Sequence, residues 1–109
     1  MASKSNEFAA YVVDVLRPLG EVNVSRFFGG QQIRVNGEQL AMVMKGELYF
    51  RVDRRLQTEL ESAGGRPFSY ATKRGRVTVQ RYFGAPAEWI EDTDTLLDFA
   101  RRNLAALQR

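Results

Sequence analysis

The dipeptide Asn36-Gly37 lies between two apolar runs, Ile33–Val35 before it and Gln39–Met44 after it. Both residues tolerate the positive φ of a type I′ turn, whose twist matches that of paired strands, so the pattern demands a tight antiparallel hairpin. Two neighbouring glycine sites extend it. Gly29-Gly30 interrupts an earlier run in which Val22 and Val24 alternate with Asn23 and Ser25, and its expected role is a bulge or a positive-φ bend. Lys45-Gly46 predicts a further turn, after which Leu48, Phe50 and Val52 share one strand face while Tyr49, Arg51 and Asp53 share the other.

Helical spacing brackets these strands. Phe8, Val12, Val15, Leu16 and Leu19 form a stripe that predicts a helix over Asn6 to Arg17, capped by Ser5 and stopped by Pro18 and Gly20. A short helix is expected from Arg54 to Ala63, ending at Gly64-Gly65. A second, more exposed hairpin follows, with Phe68 and Tyr70 on one side of Lys73-Arg74-Gly75 and Val77 and Val79 on the other. Pro86 introduces a loop in which Trp89 anchors against the sheet or the last helix. That helix starts near Thr93 or Asp94 and buries Leu96, Leu97, Ala100, Leu104 and Leu107, its early Asp and late Arg residues suiting the helix dipole. The reading is a single α+β domain spanning residues 1–109. Its antiparallel sheet is built from hairpins, with N- and C-terminal flanking helices and a short internal helix.

Cysteine and histidine are both absent. Disulfides, thiolate zinc sites, cysteine nucleophiles and imidazole relays are therefore excluded, and no cofactor, metal or catalytic residue is assigned. No apolar run approaches the ~18 residues of a membrane span, and the N-terminus lacks a basic start leading into an apolar signal core. The expected location is the cytoplasm. The net charge is only +3, but it is uneven: residues 51–81 carry eight basic side chains against three acidic.

Asp53 lies among Arg51, Arg54 and Arg55, which predicts a carboxylate–guanidinium network and a helix cap rather than a catalytic acid. Strand alternation turns Arg34, Tyr49, Arg51, Lys73, Arg76, Gln80 and Tyr82 away from the core. Such a face is solvated, joins a protein partner or a second copy, or binds the phosphates and bases of a nucleic acid; Arg54 and Arg55 are further anion-binding candidates. A small-molecule or catalytic site in a cleft of the fold is a third class. Glu88, Glu91, Asp92, Asp94 and Asp98 cluster at a helix start, where carboxylates mostly cap and solubilise.

An ordered set of motifs resembles one family. Arg26-Phe27-Phe28-Gly29-Gly30, Ile33, Asn36-Gly37, Leu40-Ala41-Met42-Val43 and Leu48-Tyr49-Phe50-Arg51-Val52-Asp53 are followed by Gly65, Pro67-Phe68-Ser69-Tyr70, Tyr82, Glu91-Asp92 and Leu96 to Ala100. Together they resemble the N-terminal domain of TfoX-type (Sxy-type) competence regulators. The resemblance implies an antiparallel sheet with flanking helices and no enzymatic activity. It implies a regulatory or protein-interaction role, since the full regulators are associated with expression of DNA-uptake genes alongside a transcription activator. The chain departs from the family pattern at Gln32, where a glycine is usual, and at Phe99, where a tryptophan is usual. It also ends at Arg109, without length for the C-terminal domain of the full regulators, so the competence role itself is not carried over.

Overall fold

The computed structural model describes residues 4–109, with side chains from Asn6 onward. Helix α1 (Lys4–Leu16) runs into a 3₁₀ turn, Arg17–Leu19, where Pro18 sets the tighter winding and Gly20 at φ 144° turns the chain out. Ser5 lies inside α1 and so cannot be its cap, and the residues preceding Lys4 lie outside the described ones. Four strands follow: β1 (Val22–Phe27), β2 (Gly30–Val35), β3 (Glu38–Met44) and β4 (Glu47–Arg51). A 3₁₀ turn and α2 (Gln57–Ser62) lead to β5 (Pro67–Thr72) and β6 (Gly75–Gly84), then α3 (Ala87–Glu91) and α4 (Thr93–Leu107). The strands form one sheet in the order β1-β2-β3-β4-β6-β5, with every neighbouring pair antiparallel. This is the α+β arrangement that the hairpin punctuation predicts.

The first three turns share one geometry. Phe28 and Gly29 have φ of 48° and 82°, Asn36 and Gly37 have 51° and 83°, and Lys45 and Gly46 have 52° and 77°. Two central residues at positive φ are what a two-residue I′ hairpin requires. The glycine pair therefore divides its roles. Gly29 completes the turn begun by Phe28, whereas Gly30 opens β2 in a position where a Cβ would sit 2.3 Å from the Val43 carbonyl oxygen.

The helices cover one face of the sheet. Val12 and Leu16 from α1 and Leu96, Phe99 and Leu104 from α4 pack against Ile33, Val35, Ala41, Val43, Leu48, Phe50 and Phe83. The Phe50 and Phe99 rings meet at 5.1 Å and 60°. Trp89 stands in α3, not in a loop, and its ring lies 5.3 Å from Phe99, so the expected anchor against the last helix is present. Asp92 caps α4 by accepting from the Thr95 N–H. The last turn of α4 holds no basic residue, contrary to the dipole reading. Arg102 instead spans to α2, donating to both Glu59 oxygens at 2.7 Å, and binds Asp98 at 3.0 Å.

One buried polar residue fastens this layer to the sheet. Asn103 on α4 is fully buried; its Oδ1 accepts from the Asp53 N–H at 2.8 Å and its Nδ2 donates to the Arg51 carbonyl at 3.0 Å. Both backbone groups leave the sheet where β4 ends, so the side chain replaces the ladder bonds that the chain loses there. Among the described residues, no helix is long and apolar enough to cross a membrane.

Candidate functional site

The other face of the sheet carries no helix among the described residues, and it is not flat. β1 and β6 stand four strand steps apart, roughly 19 Å across a flat sheet. Yet the rings of Phe27 on β1 and Tyr82 on β6 lie 6.3 Å apart. The sheet curls, and its concave side encloses a groove of about 730 Å³.

Sequence alternation builds this groove strand by strand. In β3, Leu40, Ala41 and Val43 belong to the core facing the helices, while Met42 and Met44 pair with Tyr49 and Glu47 on the groove side. Both methionines are buried and make the floor. Phe27 and Phe28 form one wall, edge to face at 4.8 Å. Opposite them, the Tyr49 ring lies beside Gly84, where a Cβ would approach it at 3.6 Å, and meets Phe68 edge to face at 5.1 Å. The register of β5 on β6 slips between Pro67, paired with Phe83, and Phe68, paired with Val79. Such a bulge bends and twists a strand pair, and here Phe68, Tyr70, Arg76 and Val79 join the groove lining.

Charge is confined to the rim, at Lys45, Glu47 and Arg76. The Tyr49 hydroxyl donates to Glu47 Oε2 at 2.8 Å. Burial first, then the bond and charge of Glu47, push the Tyr49 phenol up to about 12. Arg76 Nε donates to Ser69 Oγ at 3.1 Å, and its guanidinium makes no ion pair among the described residues.

The residues that the sequence singled out do not form one surface. Tyr49, Arg76 and Tyr82 line the groove together with Phe27 and Phe28. Arg51 stands opposite Tyr82 in the sheet but is half-buried, bonded to Glu38 at 3.3 Å and near the Gln39 carbonyl. Arg34 is exposed and reaches only the Gly37 carbonyl, while Lys73 occupies the tip of the β5–β6 turn. Asp53, Arg54 and Arg55 sit where β4 gives way to α2. Asp53 caps the turn through the Arg55 N–H and grips the Arg55 guanidinium at 2.9 Å. That bond holds the Asp53 carboxyl below its ordinary range, and Arg55 in turn donates to the Ala106 carbonyl at the end of α4. Of the three arginines expected around Asp53, Arg55 alone among the described residues grips it, as structural fastening, while Arg51 pairs with Glu38.

Met42, Met44, Phe27, Phe28 and Phe68 were not read as a surface. The available signal was the run Leu40-Ala41-Met42-Val43-Met44, apolar at every position, which marks a strand covered on both faces. Among the described residues, no cluster of three or more carboxylates is arranged to hold a metal ion.

A scan against protein-family models matches residues 14–107 to the family described as the TfoX N-terminal domain. A search of curated proteins found no match.

Proposed function

Since the chain belongs to the TfoX N-terminal domain family, we propose that it is a non-enzymatic regulatory domain working through protein contacts. Its docking surface is the concave face of the sheet, its setting the regulation of transcription and its place the cytoplasm. The observation that carries the reading is the groove lining. Methionines adapt to varied apolar shapes, and aromatic side chains are enriched where proteins dock. Phe28 stands 86% exposed at the rim, an unusual position for so large an apolar group.

A photo-crosslinking residue in place of Tyr70, in the full chain expressed in cells, tests the reading. The expected result is a reproducible crosslink to one protein, or to a second copy of the chain, that disappears when Tyr82 is replaced by Glu. Crosslinks to nucleic acid alone, or none to protein, would overturn it. Light scattering separates a second copy from a different partner.

A second reading, direct nucleic-acid binding, draws on the hairpin arm. Residues 62–87 hold five basic side chains and no acidic one, and none of the five forms an ion pair among the described residues. Rings beside free cations suit bases and phosphates. Under this reading, an oligonucleotide binds at low salt, weakens steeply as salt rises, and is lost on reversing Lys73 and Arg76.

A further inference from the structure

Phe28 occupies a place that the fold would fill better with another residue. At φ 48° it is in the left-handed region, which is uncommon for a bulky side chain and favours Asn, Asp or Gly at this turn position. Of the next two hairpins, one meets the same demand with Asn36 at φ 51° and the other with Lys45 at φ 52°, whose side chain is not a bare aromatic ring. Nor does burial compensate, since the Phe28 ring is 86% exposed and touches Phe27 by its edge. Beyond its edge contact with Phe27, a strained backbone carrying an uncovered aromatic ring contributes little to folding. It offers a bound partner an apolar wall.

We infer that the groove takes an extended acidic peptide segment carrying a large apolar side chain, which enters between Phe28 and Tyr70 over the methionine floor; this rests on the protein-docking reading above. Extension follows from the walls. Phe27 closes edge strand β1 and Phe68 to Tyr70 belong to edge strand β5, so both unpaired sheet edges border the groove and can bond a polypeptide backbone. Acidity follows from the rim. Among the described residues Lys45 and Arg76 make no ion pair, and they outnumber Glu47, the one acidic residue lining the groove, whose Oε2 accepts from the Tyr49 hydroxyl. Positive charge continues past the rim through Lys73 and Arg74. The volume, about 730 Å³, falls inside the roughly 300–1,000 Å³ of pockets that bury compact ligands.

Panning a random-peptide phage library on the full chain tests the inference, with the Phe28→Asn and Arg76→Glu variants and a single-stranded oligonucleotide as parallel arms. Recovered peptides should pair Asp or Glu with Leu, Phe or Trp. Their affinity should fall about tenfold or more in each variant. Thermal stability should be unchanged or higher in Phe28→Asn, because Asn relieves the turn. Apolar peptides without acidic residues would overturn the inference while leaving protein docking standing. Binding of the oligonucleotide with no peptide enrichment would overturn both. A Phe28→Asn protein that melts lower yet binds peptide as before would assign Phe28 to the fold and overturn its part in recognition.

Discussion

Gly29 and Gly30 are adjacent and constrained for unlike reasons. At Gly29 the constraint is φ 82° with open space around it, so Gly29→Ala should cost about 1 kcal/mol of stability. At Gly30 the constraint is the Val43 carbonyl 2.3 Å from any added Cβ, so Gly30→Ala should cost about 2–3 kcal/mol. Urea denaturation of the two variants checks the order. Asn103→Ala should cost about 1–3 kcal/mol, because it removes the partners of the half-buried Asp53 N–H and Arg51 carbonyl. Nothing in the sequence marked Asn103: an asparagine among Leu96, Ala100 and Leu104 breaks the apolar stripe, and only the end of β4 packed beside it explains why. Tyr49 gives a test of the groove wall. Burial and Glu47 push its phenol from the ordinary 10.0 up to about 12 in the fold. The folded state then holds the proton more tightly, so this contribution is complete below pH 10 and is lost as pH rises toward 12. Tyr49→Phe should remove that part of the alkaline loss in a stability–pH profile.

Among the elements, the hairpins were the most legible in the sequence. Asn36-Gly37 and Lys45-Gly46 each place a residue that tolerates or forces positive φ between alternating runs, and local geometry alone decides such turns. Phe28-Gly29 was less legible because Gly30 stands beside it, and two adjacent glycines do not fix which two residues make the turn. The helix around Trp89 was missed for another reason. Five residues after Pro86 carry no periodicity, and contact with Phe99 on α4 stabilises them from outside. The link between α2 and α4 yields a pH prediction. The Arg102 hydrogen bonds hold the Glu59 carboxyl below its ordinary 4.5, and those from Thr95 lower Asp92 at the α4 cap. Lowered carboxylates stabilise the fold fully above their unfolded values and lose that contribution as pH falls through the folded ones. Stability should therefore decline on acidification below about pH 4.5, and Arg102→Met should flatten that decline when followed by circular dichroism.

At the scale of the whole molecule, the layer order was readable and the curl was not. Alternation tells which residues share a sheet face, but it cannot tell that Phe27 will meet Tyr82 across the three strands between them. That closure depends on accumulated twist and on the slip between Pro67 and Phe68. The expected basic face is accordingly an aromatic groove with charge at its rim, and Arg51 and Arg55 are tied into structural bonds. The same layering sorts the chromophores of the protein. The single tryptophan, Trp89, packs at a tilt against Phe99 among the helices, whereas three of the four tyrosines, at 49, 70 and 82, line the groove. Light emitted by the indole thus reports whether the helical layer is in place, and ultraviolet difference absorbance of the groove tyrosines in the folded protein reports what has entered the opposite side. One unlabelled sample can therefore follow unfolding by emission and occupancy by absorbance.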